Sequence, residues 1–124
     1  MPTQKRRYQS YVQLFIPTRD KEGKSLSRTT IREWQQRAEE LFQQFVGGYY
    51  VSPMYRIEGA FHSASGEWIK EHNLVIKAYA PETNCRKLLH ALERDLIPQM
   101  GANLAQESIA VETSFEGLAI YDIE

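Results

Sequence analysis

Residues 74–96 read LVIKAYAPETNCRKLLHALERDL, and a change of period inside this stretch decides the fold. Leu74-Val75-Ile76-Lys77-Ala78-Tyr79-Ala80 is a near-continuous apolar run of strand-forming residues, and Pro81 closes it. From Thr83 or Asn84 onward, Cys85, Leu88, Leu89, Leu92 and Leu96 recur at helical spacing on one stripe. A strand therefore runs into an amphipathic helix, which Pro98 and Gly101 are expected to end.

Upstream, Tyr49 to Ser63 reads as a strand with Pro53 at a bulge or edge position, and Ser63-Ala64-Ser65-Gly66 reads as a turn. Glu67 to Ala80 then returns, which makes a long hairpin. Earlier still, Tyr11-Val12-Gln13-Leu14-Phe15-Ile16 is a strand ended by Pro17, and residues 18–28 are a polar loop. Thr30 and Glu33 have the spacing of a capping box. Behind them Ile31, Trp34, Ala38, Leu41, Phe42 and Phe45 form the apolar face of a helix that Gly47-Gly48 stops. Downstream, Ser108 to Thr113 is a strand. Leu118 to Ile123 is a short last strand or a continuation past a bulge at Glu116-Gly117.

The order strand, helix, strand, strand, helix, strand is that of an α+β, ferredoxin-like split βαβ sandwich. It predicts an antiparallel sheet ordered 4-1-3-2 with two helices on one face. The expected core holds Leu14, Trp34, Leu41, Phe42, Ile76, Leu88, Leu92, Ile109 and Val111.

With 124 residues, one domain over 1–124 is expected, with a basic N-terminal arm at about 1–9 and an acidic C-terminal extension at about 114–124. Hydrophobic residues at 42% and charged residues at 25% exclude disordered and collagenous classes. The single cysteine, Cys85, excludes a disulfide framework and a Cys-rich zinc module, and on the helix stripe it reads as a buried structural thiol. Lys5-Arg6-Arg7 lacks the apolar stretch of a signal peptide, and no apolar run approaches a bilayer span, so a cytoplasmic setting without membrane is expected.

The net charge of −1 argues against a dedicated nucleic-acid binder. It hides an asymmetry. Residues 1–32 carry eight bases and two acids, and residues 95–124 carry six acids and no base. Either a basic arm serves an acidic partner, or the two ends neutralise each other.

Gly66-Glu67-Trp68, then Glu71, then the apolar strand, and later Gln106-Glu107-Ser108-Ile109 form a pattern. In it the chain resembles a family of small uncharacterised bacterial proteins, a domain of unknown function. The resemblance spans about residues 10–115 and implies a ferredoxin-like fold and no activity.

Candidate chemistry gathers on the hairpin, at Glu58, His62, Glu67, Glu71 and His72. A turn centred on Ala64-Ser65 would set His62 opposite Glu67, Glu58 opposite Glu71, and Trp68 opposite Phe61. Two close carboxylates would raise one pKa, as acid–base work requires. Glu71 first and His62 second are the acid–base candidates, while a metal site and a bound cofactor are not expected. Trp68 and Gln106 are a possible ligand wall. No nucleophile-elbow, zinc-protease, dinucleotide or phosphate-loop pattern occurs.

Three functions stand together. The first is a non-catalytic interaction or assembly protein. It would act through an open sheet face bearing Tyr11, Phe15, Lys77 and Tyr79, and associate as a homo-oligomer or in a protein complex. The second is a small cofactor-independent enzyme of the dimeric α+β barrel type, with a small organic molecule bound between sheet and helices. The third is a nucleic-acid-binding module. The face aromatics suit it, but the Lys/Arg-Gly-aromatic signature is missing.

Overall fold

β1 (Tyr11–Pro17) is the middle strand of an antiparallel sheet. On one side it pairs with β4 (Trp68–Tyr79), Leu14 opposite Ile76; on the other with β5 (Ser108–Thr113), Leu14 opposite Val111. β2 (Tyr50–Ser52) borders β4 and β6 (Gly117–Asp122) borders β5, giving the order β2-β4-β1-β5-β6. β3 (Glu58–His62) pairs with the first half of β4. The computed structural model describes residues 6–52, 58–62 and 68–124, and of 58–62 and 68–72 it describes the backbone. The α+β architecture is as read. The expected 4-1-3-2 order is its centre, with the second strand divided into β2 and β3 and with β6 added at the edge.

Period-2 alternation puts Val12, Leu14 and Ile16 on the helix-facing side, each fully buried. Their neighbours Leu74, Ile76 and Ala78 of β4 and Ile109 and Val111 of β5 share that side. Against them lies α1 (Arg28–Phe45), presenting Ile31, Trp34, Ala38 and Phe42. Beside it runs a continuous helical stretch: α2 (Glu82–Ala91), a π-helical turn at Leu92–Leu96, then α3 (Ile97–Asn103). Its buried stripe is Cys85, Leu88, Leu89, Leu92, Leu96, Ile97 and Met100. Each fully buried side chain of Leu or Phe size contributes about 1.5–3 kcal/mol, which is why this layer fixes the fold. Leu41, expected in the core, is only half-buried at its margin, one helical position off the stripe.

The helix ends differ from expectation for local reasons. α1 is capped by Ser27, not Thr30: the Ser27 Oγ accepts the Thr30 amide at 3.1 Å. Thr30 lies inside the helix, its hydroxyl 2.7 Å from that of Ser27. At the far end Val46 turns the chain into extended backbone, so neither Gly47 nor Gly48 takes a left-handed conformation. Pro98 does not stop the second helix, because it falls in the first turn of α3, directly after the π-helical turn. A proline lacks an amide and crowds the carbonyl four residues back, and the wider turn before it relieves both defects. The helix stops instead at Ala105, a left-handed residue (φ 51°), with the Gln106 amide bonded to the Gly101 carbonyl at 2.9 Å.

Within the acidic C-terminal stretch, Gly117–Asp122 forms β6, a true strand reached by a turn with Gly117 at φ 74°. Ile123 follows and packs against Gly101 of α3, where a β-carbon would collide with it. Among the described residues no helix is long and apolar enough to cross a membrane.

Candidate functional site

The sheet face turned away from the helices carries the densest chemistry among the described residues. Strand register lays side chains across it in rows. One row reads Tyr50, Lys77, Gln13, Glu112 and Leu118, each opposite the next on the neighbouring strand. Flanking rows hold Ser52, Val75 and Phe15, and Tyr79 opposite Tyr11. Tyr50, Tyr79, Leu118 and Ile120 on this face are 45–58% exposed. Val75 is the exception, only 4% exposed beside the half-buried Phe15.

Tyr11 is the hub. Its ring lies 5.6 Å from that of Tyr79, centroid to centroid, tilted by 55°. The Lys77 ammonium sits 4.2 Å from the Tyr11 ring centre and 5.1 Å from that of Tyr79. The Tyr11 hydroxyl donates to Glu112 Oε2 at 2.7 Å. That carboxylate bond, helped by desolvation, raises the Tyr11 pKa above its ordinary value, so the phenol stays a neutral donor. Tyr11 is anchored at its backbone too, where its amide donates to Ser114 Oγ at 2.9 Å. A carboxylate, two π faces and an ammonium thus meet within one patch, groups whose chemistry can attract charged organic molecules.

Tyr11, Phe15, Lys77 and Tyr79, singled out in the sequence, all fall on this one face. Glu112 was missed. It stands in a strand of ordinary alternation, and its tie to Tyr11 spans 101 positions, visible only once β1 and β5 are paired.

The hairpin register differs from expectation by one residue. His62 stands opposite Trp68, Phe61 opposite Ile69, Glu58 opposite His72, and Glu71 opposite Gly59. The expected Glu58–Glu71 opposition is therefore absent, since a one-residue slip re-pairs every position. The side chains of His62, Trp68 and Glu71, and the whole of Glu67, lie outside the described residues. Gln106 is 5% exposed, and its amide nitrogen donates to the carbonyls of Arg19 at 2.7 Å and Leu104 at 2.9 Å. With the Lys21 amide on the Ala105 carbonyl at 2.9 Å, it fastens the loop after β1 to the turn after α3. Both donors of its amide are engaged, which gives it a structural task.

Elsewhere, a groove of about 580 Å³ lies between α1 and α3, beside Trp34, Arg37 and Asn103. Another of about 480 Å³ lies along α2, beside Phe45, Lys87, His90 and Arg94. Neither enters the layer between sheet and helices, where the small-enzyme alternative expects a cavity and where the buried core cluster packs. Cys85 is buried, and burial pushes its thiol pKa up, which suits an inert thiol. Among the described residues no three His, Cys, Asp or Glu converge as metal ligands would.

No protein-family model matches the sequence, and no curated protein does. Two solved structures share the fold from end to end. One is a phage SAM lyase in complex with S-methyl-5'-thioadenosine, with a TM-score of 0.59 and 12% identity over 93% of this chain and 90% of that one. The other is a phage SAM lyase in its apo state, with a TM-score of 0.56 and 14% identity over 98% of each chain. These matches speak against the first functional reading, a non-catalytic assembly role, since both chains found on this architecture are named as lyases; for this chain they show the fold.

Proposed function

We propose that this protein is a small enzyme acting on a sulfonium nucleoside of the SAM type, and that the open sheet face around Tyr11 carries the reaction. The observation that supports it above all is the end-to-end likeness of fold to a phage SAM lyase holding a thioether nucleoside. The open face supplies suitable chemistry. Aromatic faces and a carboxylate are what a sulfonium cation is attracted to, and Tyr11, Tyr79 and Glu112 provide them.

The reaction asks little covalent work of the protein. A sulfonium sulfur leaves as a neutral thioether, taking both electrons of the broken C–S bond. The carbon fragment balances by losing a neighbouring proton or by closing on its own carboxylate. The enzyme must bind, orient and shield, and Glu112 is the open-face carboxylate able to attract the cation and fix its orientation; the rate gain comes from that orientation, not from stabilising a charge that disappears as the bond breaks.

A face this exposed needs a cover to exclude water. The proposal therefore includes a homo-oligomer, most simply a dimer, with a second copy laid on the apolar positions Tyr50, Leu118 and Ile120. A cytosolic setting fits the single, unpaired Cys85. The resemblance to the domain of unknown function through Gly66, Trp68 and Gln106-Glu107-Ser108-Ile109 stays part of the proposal for the fold's ancestry.

Incubation of the purified protein with SAM, followed by mass spectrometry, tests the reading. S-methyl-5'-thioadenosine should accumulate in proportion to enzyme and time. Intact SAM after prolonged incubation, with a well-folded protein, would overturn it.

A further inference from the structure

Lys77 is out of keeping with its surroundings. On an open face the ammonium of a lysine ordinarily extends into water, because it is compact and strongly hydrated. Here it is folded back over two rings, 4.2 Å from the centre of Tyr11 and 5.1 Å from that of Tyr79. Among the described residues no carboxylate lies within ion-pairing distance of it. Its neighbours across the sheet are Gln13 and Tyr50, neither of which carries a carboxylate, and Glu112 is engaged by the Tyr11 hydroxyl at 2.7 Å. That bond also enriches the Tyr11 ring, since a phenol donating to a carboxylate gains electron density and so attracts cations more strongly.

We propose that the Tyr11 and Tyr79 rings form a seat for an organic cation, that Lys77 fills this seat from within, and that a ligand of the sulfonium or quaternary ammonium class enters by displacing it. Three features carry the idea. The rings are placed by backbone pairing, Tyr11 directly opposite Tyr79, so the seat persists when Lys77 leaves. Tyr79 is 45% exposed, which leaves an approach from solvent. The lysine stem is flexible, and its ammonium regains full hydration on leaving, whereas a sulfonium or quaternary ammonium is weakly hydrated and gives up little on entering. Lys77 thus acts as a built-in competitor that keeps weakly held cations out. The seat stands on geometry alone; only the identity of its occupant as a SAM-type substrate rests on the function proposed above.

The sign of a substitution at Lys77 decides the matter. If the lysine competes, removing its charge strengthens cation binding; if it anchors a ligand's carboxylate, removing its charge weakens binding. The test is a titration of the full chain and of Lys77→Met with tetramethylammonium, following the Tyr11 and Tyr79 ring resonances by NMR. Lys77→Gln serves as a second variant, and helix content checks each fold. Saturable shifts at both rings are expected, with half-saturation about two- to fivefold lower in both variants than in the parent, the span that an exposed cation–π contact supports. Equal or weaker binding in the variants, or no shift at either ring, would overturn the proposal. SAM and S-methyl-5'-thioadenosine, titrated in parallel, separate the two readings. SAM should gain affinity in Lys77→Met and the neutral thioether should not. Entry of tetramethylammonium without any binding of SAM would remove the substrate reading and leave the seat standing. Weaker binding of SAM in Lys77→Met would make the lysine an anchor and overturn the proposal.

Discussion

On the helix-covered side of the sheet, Val12, Leu14 and Ile16 of β1 are fully buried. On the open side, Tyr11, Gln13 and Phe15 of the same strand are half-buried and hold polar and charged neighbours. The backbone is shared, so the difference lies in what each side must satisfy. The covered side is governed by volume: aliphatic side chains fill the space under α1 and α2, and a lost methylene leaves a void. The open side is governed by pairs across strands, in which Tyr11 finds Glu112 and Lys77 finds two rings. Stability resides mainly in the first, and chemistry has room in the second.

The contrast is most easily broken in the core. Leu14→Ala and Leu92→Ala should each cost about 2–5 kcal/mol in urea unfolding, the range for fully buried leucines. Leu41→Ala, at the half-buried margin, should cost about 1 kcal/mol. Equal losses at all three would mean that the boundary of the covered layer is misplaced. The helix layer also holds one strained residue. Ala105→Gly should raise stability by up to about 1 kcal/mol, because a left-handed conformation is costly for alanine and easy for glycine.

Two tyrosines sharpen the comparison. Tyr121 pairs with Ile109 on the helix-facing side, and burial, with Glu93 and Glu116 nearby, pushes its pKa up to about 12. Tyr11 on the open side is raised chiefly by its bond to Glu112. A raised phenol pKa gives stability that is full below the unfolded value near 10 and is lost as pH climbs towards the folded one. Tyr121→Phe should therefore flatten the alkaline loss of stability above pH 10. Ultraviolet titration of Glu112→Gln should show one tyrosine, Tyr11, ionising at lower pH while Tyr121 is unmoved. The smallest expected effect on stability is at the open-face margin. Leu118→Asp should change unfolding by no more than about 0.5 kcal/mol, as exposed positions do, yet dissociate the proposed oligomer in light scattering.

The covered side was legible in the sequence because its signals are local. The strand run at Leu74–Ala80 and the stripe Cys85, Leu88, Leu92 carry their period with them, and they yielded the fold class and the central strand order. Endings were less legible. Thr30 with Glu33 has the spacing of a cap, but Ser27 offers its hydroxyl one turn earlier, and Pro98 reads as a stop until the π-helical turn before it is seen. The open side was legible in part. Alternation put Tyr11, Phe15, Lys77 and Tyr79 together, but nothing local marks Glu112 as the partner of Tyr11. The hairpin failed for a related reason: its register depends on the turn, and a slip of one residue replaced Glu58–Glu71 with Glu58–His72.

The division of labour between the two faces is tested most directly by Glu112→Gln, assayed for SAM cleavage and for urea unfolding in the same preparation. At least a tenfold loss of S-methyl-5'-thioadenosine formation at subsaturating SAM is expected, with the unfolding midpoint almost unchanged, because Glu112 would bind and orient the cation on the open face and lies outside the packed layer. Full turnover in the variant, or a collapse of stability equal to that of Leu14→Ala, would contradict it.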